Sequence, residues 1–235
     1  MKAGTIAALA SVLLLGVASA DQVRVTLRMI EVPHPALTGW MGQPGVQGKE
    51  LHAKAVALAL EGGAEIVETT VLTVRSGEKA TSESFAEVIY PTEYEPMEFP
   101  SRLPDGKGPN PFEFELFPRP NNGAPVSWET RNAGVELEIE PFLYAEKGVV
   151  DLRIAFEWVS RAAMTTWTEF RDQWGEASLK MPVFATKKLT GGLTLEPGGF
   201  ELFNVFTPQP AAVPAALTRM LVFVGAEILQ THAEP

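Results

Sequence analysis

Residues 134–144, GVELEIEPFLY, and residues 149–160, VVDLRIAFEWVS, are the stretch on which the reading of this chain turns. In the first, Val135, Leu137 and Ile139 alternate with Glu136, Glu138 and Glu140. That period of two gives a strand one buried and one solvated face, whereas a helix would scatter the same residues around its axis. Glu146-Lys147-Gly148 follows, with glycine where a short hairpin loop needs a positive φ. The second run resumes the rhythm: Val150, Leu152, Ile154, Phe156 and Trp158 on one face, Asp151, Arg153 and Glu157 on the other. Paired antiparallel, the two strands set an apolar face on a core and leave a glutamate-rich face with one arginine in water.

The rest of the chain must cover that apolar face, and its composition suits the task. With 235 residues, 46% of them hydrophobic, it is long enough for one domain with a substantial core. The 19 prolines and 20 glycines fit many strands broken by turns better than a helical bundle. No self-similarity at a period of 20 to 50 residues points to a solenoid or propeller.

The first twenty residues read as a signal peptide. Lys2 supplies a short positive region, residues 6–17 an apolar run, and Ala18-Ser19-Ala20 a small-residue cleavage site, with an uncleaved anchor as the alternative. Cleavage before Asp21 sends residues 21–235 out of the cytoplasm as a single β domain, to the periplasm or the outer membrane. The formal net charge is −10, one unit more negative without Lys2. Such a surface repels phosphate backbones, so nucleic acid is not an expected partner. The absence of cysteine suits an exported protein held by burial and pairing rather than by disulfides.

Taken in order, residues 22–33 form a strand with Val23, Val25, Leu27 and Met29 on one face, and residues 33–48 a Gly- and Pro-rich loop. One helix is expected near residues 49–61, with Leu51, Ala55 and Leu58 at helical spacing and Gly62-Gly63 as its stop. Strands at 66–75 and 80–90 follow, joined by Ser76-Gly77-Glu78. Residues 91–125 carry nine prolines and read as an irregular excursion, with FEFELF at 112–117 as a short edge strand. A second irregular excursion is expected over 163–181. Strands return at 182–195, 199–206 and 219–229, and the last, apolar on both faces from Met220 to Ile228, belongs in the middle of a sheet.

The order of these pieces resembles the secretin family, which includes the outer-membrane proteins of type II and type III secretion systems. The pieces are a first strand ending in IEV, a helix followed by GGAEIVETTVLTVRSGEKA, AEVIYPTEYEP, RNAGVELEIEP, MPVFATKKLTGGLTLEPGG and a final RMLVFVGAEI. The likeness runs from Val23 to Ile228 and looks nearest to short secretin-type proteins of Verrucomicrobia and related bacteria, on Ile89-Tyr90-Pro91-Thr92-Glu93-Tyr94. It implies a mainly β, antiparallel secretin-type domain that associates with copies of itself or with secretion-channel subunits. Where family members carry a VPxLGxxPxLGxLF lip segment, this chain has Thr207 to Thr218. An accessory or structural component of an envelope secretion or pilus channel is therefore expected, with peripheral outer-membrane association; a stand-alone periplasmic binding or adhesion module is the alternative.

Catalysis finds little support. There is no thiol, no HExxH, GxSxG or GxxxxGK[ST], and His34, His52 and His232 stand in unrelated contexts. His52 reads as a solvated helix position, and Glu136, Glu138 and Glu140 as the wet face of a half-buried sheet. Trp158, Trp167 and Trp174 near Phe170 read as core filling plus a loop pinned by its tryptophans. No catalytic, cofactor-binding or metal-binding residue is assigned, no cofactor or metal is expected, and the chain is not read as an enzyme. Nor is an open channel expected from this chain alone, because only the central hairpin and the last strand promise the length and apolar face of a barrel wall.

Overall fold

The computed structural model describes residues 21–95, 124–172, 175–208 and 218–229. The expected signal peptide, the expected FEFELF edge strand, Trp174 and most of the TPQPAAVPAALT link lie outside the described residues. In chain order the elements are β1 (Gln22–Pro33), α1 (His34–Met41), α2 (Gly48–Leu60), β2 (Glu65–Arg75), β3 (Ala80–Glu95), β4 (Ala124–Tyr144), β5 (Val149–Asp172), β6 (Gly175–Leu195), β7 (Phe200–Phe206) and β8 (Thr218–Leu229). The protein is mainly β, and among the described residues all strand pairs are antiparallel.

Two four-stranded sheets follow from these pairs, one in the order β2-β1-β8-β7 and one in the order β3-β4-β5-β6. Their facing sides interdigitate. Val23, Val25, Leu27 and Met29 of β1 and Met220, Val222, Val224 and Ala226 of β8 meet Val135, Leu137 and Ile139 of β4 and Val150, Leu152, Ile154 and Phe156 of β5. Each fully buried Leu, Val or Phe contributes about 1.5–3 kcal/mol relative to exposure, which makes this layer the main source of stability. The outward carboxylates of the second sheet stay in water and are partly neutralised, Glu138 by Lys79 (2.6 Å), Glu140 by Arg153 (3.3 Å) and Glu157 by Lys188 (2.7 Å).

The two helices cover the outer face of the first sheet, where Ile30, Val32, Leu221 and Phe223 pack against Leu37 of α1 and Leu51 and Ala55 of α2. This third layer explains why β8 is apolar on both faces: its even-numbered side chains face the other sheet and its odd-numbered ones face the helices. The expected helix near 49–61 is α2, stopped by Gly62 at φ 79 with its N–H on the Ala59 carbonyl. The stretch read as a loop, however, contains a second helix. Pro35 sits within the first turn of α1, where no intrahelical N–H is needed, so the proline that suggested a loop instead starts a helix.

Both expected excursions need correction. Residues 163–181 are not irregular: β5 and β6 run on as one ribbon, pairing to Asp172↔Gly175. Register shifts between Arg161 and Ala163 and between Thr166 and Thr168 displace the side-chain phase twice, which hides the period of two. The 91–125 excursion is shorter than expected, since β3 continues to Glu95 and β4 begins at Ala124. Pro91 is tolerated because β3 is an edge strand, and the register shifts just after it.

Gly134 lies where β4 stops pairing with β5, while β3 and β4 pair on to Glu95↔Ala124. Its φ of +151 is open only to glycine, and a Cβ there would run into the Ser84 carbonyl. Gly148, at φ 64 in the hairpin turn, faces open space. Gly134→Val is therefore expected to cost at least about 2 kcal/mol and Gly148→Ala about 1 kcal/mol. Urea unfolding of the two variants checks this ranking, and equal losses would contradict it.

Candidate assembly surfaces

No single cleft organises the described residues; what stands out is the way the two sheets end. β2 and β7 are the edges of one sheet, β3 and β6 the edges of the other. Residues 76–79 link β2 to β3 and residues 196–199 link β6 to β7, so each flank of the sandwich carries one edge strand from each sheet. Among the described residues none of these edges pairs with anything beyond its sheet. Exposed apolar side chains accompany them: Ile66, Val67 and Val71 on β2, Phe85 and Ile89 on β3.

Beyond the Gly134↔Val159 pair, β3–β4 and β5–β6 part into two ribbons. From Val159 to Asp172 the β5–β6 ribbon runs about 40 Å along its strands at the usual rise per residue. Ile89, Val126 and Trp128 on one ribbon and Met164 and Trp167 on the other are exposed. Length alone does not single out the central hairpin and the last strand, because β3 to β6 span 16, 21, 24 and 21 residues. Isolated two-stranded ribbons are marginal in water, so these gain from a neighbour.

The ribbons meet near the fork. Tyr90 on β3 lies with its ring 5.6 Å from that of Phe184 on β6, and within its own ribbon it donates to its cross-strand partner Glu129 at 3.1 Å, a bond that raises the phenol above its usual range. Arg131 on β4 donates to Thr186 on β6 at 3.0 Å and lies 5.2 Å from the centre of the Phe184 ring. An isolated glycine inside a strand pattern signals a close backbone approach. Gly134 was that signal here; the partners of Arg131 carried none, because Phe184 and Thr186 lie more than fifty residues away in sequence.

Of the tryptophans singled out in the sequence, Trp158 and Trp167 are described, and their settings differ. Trp158 is partly buried against the core, its ring 5.8 Å from Phe206. Trp167 is 69% exposed on β5 rather than pinning a loop. Glu136, Glu138 and Glu140 stand on the wet face of the sheet, as their alternation predicts. His34 opens α1 and accepts a bond from Thr38 on its carbonyl. Among the described residues no group of three or more His, Cys, Asp or Glu side chains is placed to hold a metal ion, and no helix is long and apolar enough to cross a membrane, which says nothing about strands.

His52 differs from the sequence expectation. It is half-buried between α2 and the sheet, stacked on Phe200 at 3.9 Å and edge-on to Phe223 at 5.1 Å, and its Nε2 accepts from Arg28 Nη1 at 3.2 Å. Burial, and then the Arg28 charge, lower its pKa to about 4. Helical spacing alone cannot show this, because β7 is distant in sequence.

No protein-family profile and no curated protein matches the chain. Solved structures similar to it are secretins. The type II secretin GspD from enteropathogenic Escherichia coli shares 12% identity at a TM-score of 0.43, over 89% of this chain and 69% of that one. The ETEC pilotin–secretin AspS–GspD complex gives 13% and 0.42, over 90% and 50%. The type IV competence pilus secretin PilQ of V. cholerae gives 10% and 0.42, over 89% and 61%. The chain thus spans half to about two thirds of the length of these proteins. At such identities and scores the likeness carries no activity over, and it does not bear on the expected nearness to Verrucomicrobia proteins.

The histidine supports a prediction. Unfolded, His52 binds a proton below about pH 6.5; folded, it resists until about pH 4. Its contribution to stability is complete above pH 6.5 and is lost as pH falls through that window. His52→Phe keeps the stacking and removes the proton, so its stability should fall less than the parent's between pH 7 and pH 5. Parallel denaturant curves at the two pH values check this, and identical losses would refute it.

Proposed function

We propose that this chain is a non-enzymatic, secretin-like structural component of a bacterial envelope secretion or pilus channel, exported by its signal peptide and working as one domain over residues 21–235. It acts by self-association or by packing against partner chains. One observation carries the reading: each flank of the sandwich presents a free edge from both sheets. Each sheet has an even number of antiparallel strands. A second copy placed alongside therefore sets β2 beside β7 and β3 beside β6 in antiparallel sense, so that both sheets continue at once. Such a contact is head-to-tail and repeats, closing into a ring when its rotation allows.

Charge favours the same pairing. β3 carries Glu83, Glu87 and Glu93, and β6 carries Lys180 and Lys187. The order of sequence pieces that resembles secretins agrees with this reading. The exposed Trp128, Trp167, Ile89 and Met164 on the ribbons suit peripheral contact with the outer membrane. A stand-alone binding or adhesion module requires a concave site with convergent polar groups.

Size-exclusion chromatography with light scattering, with and without detergent, tests the proposal. A discrete multimer is expected, and a strict monomer at all concentrations in both conditions would sink self-association. Val71→Lys on the β2 edge provides the specific control. A charge there blunts edge pairing and should leave monomer stability within about 0.5 kcal/mol, while the multimer weakens at least about tenfold, roughly 1.4 kcal/mol.

A further inference from the structure

α2 is held to the first sheet by few contacts. Leu51 and Ala55 are its fully buried apolar side chains, and they pack with Ile30, Leu221 and Phe223 in a cluster separate from the core between the sheets. Among the described residues a single hydrogen bond joins the helix to that sheet, the 3.2 Å contact between His52 Nε2 and Arg28 Nη1. A guanidinium only donates, so Nε2 must accept and the imidazole must be neutral. The links on either side of α2 bend at glycines, with φ of 85 at Gly45 and 79 at Gly62.

A proton on His52 reverses this bond. Both ring nitrogens then donate, and two cations face each other donor to donor. Arg28 is already poorly satisfied, its Nε buried without a partner. No carboxylate compensates. On β7, Glu201 lies against Gly48, a turn away along α2, and does not bond His52. Glu68 of β2 accepts from Thr69 and Thr70, Glu227 of β8 pairs with Arg24, and Glu50 of α2 pairs with Lys54. Glu31 of β1 and Glu65 opposite it on β2 alternate with Ile30 and Val32, and so belong to the other face of the sheet. The remaining charged groups, Lys49 on α2 and Arg219 on β8, are cations, and α1 adds only His34.

We propose that α2 is an acid-released cover on the first sheet. Protonation of His52 breaks its bond with Arg28 and lifts the helix, which uncovers Phe200 and Phe223 while the core between the sheets stays closed. The inference holds whether or not the chain assembles. Docked, the imidazole has a pKa of about 4, lowered by burial and then by Arg28; released, it returns to about 6.5. The released-to-docked ratio therefore rises about twentyfold from pH 7 to pH 5.

The chain has no cysteine, so Ala55→Cys on α2 and Ala226→Cys between the sheets, made separately, each report one layer. Both are labelled with a pyridyl disulfide, which reacts with thiols in acid, and each rate is normalised to that of the urea-unfolded chain at the same pH. From pH 7 to pH 5 the Ala55→Cys rate should rise about twentyfold. At pH 5 it should exceed the Ala226→Cys rate at least about tenfold and hardly respond to low urea, the mark of an opening that exposes little surface. With His52→Phe added, most of the rise should vanish. In the unsubstituted protein the ring protons of His52, assigned by their loss in His52→Phe, should titrate well below the range of a free histidine by nuclear magnetic resonance. A His52 midpoint near about 6.5, a pH rise that survives His52→Phe, or two cysteines labelled at one rate with one urea dependence would overturn the proposal.

Discussion

Everything in this protein depends on the burial of one face of each sheet against the other. The facing side chains of β1, β8, β4 and β5 must point inward together, so each strand is forced into a phase that leaves its alternate residues outside. The glutamates of β4 and β5 are outward for this reason and not because a site requires them. Where the facing sheet ends, the constraint ends as well. Beyond the Gly134↔Val159 pair the described residues of β3–β6 add nothing to the core between the sheets, and there the sheet splits into ribbons on which Ile89, Val126, Trp128, Met164 and Trp167 are exposed.

What could be read from the sequence follows the same boundary. In the sandwich, alternation in β1, β4 and β5 and the two-sided apolarity of β8 are direct consequences of burial, and both were legible. The turns at Gly77 and Gly148 were legible too, with φ of 83 and 64 as short reversals demand. Outside the sandwich, burial no longer imposes a period. The β5–β6 ribbon has exposed residues on both faces and two bulges, so its residues look like a loop. α1 was hidden for a different reason: its proline and glycine are ordinary breakers when read locally, but Pro35 at a helix start and Gly42 at a helix end break nothing.

The candidate surfaces were less legible than the fold. Which strands become edges is a matter of topology, and no local pattern distinguishes β2, an edge, from a half-buried interior strand. The environment of His52 depends on Phe200 and Phe223 arriving from strands far along the chain, and that of Arg131 on Phe184 and Thr186 from β6. Sequence spacing reports neighbours along one element; these sites are built between elements.

The β4–β5 ladder runs without a break from Gly134↔Val159 to Tyr144↔Val149, its hydrogen bonds perpendicular to the strands. Both ribbons leave this ladder at its Gly134↔Val159 end, so a force that spreads them opens its bonds one after another from that end, and the buried side chains of β4 and β5 are what hold it shut. The short links at 76–79 and 196–199 tie both flanks of the sandwich, so the first sheet shares the load. The part of the molecule without a core of its own is thus anchored by the core between the two sheets.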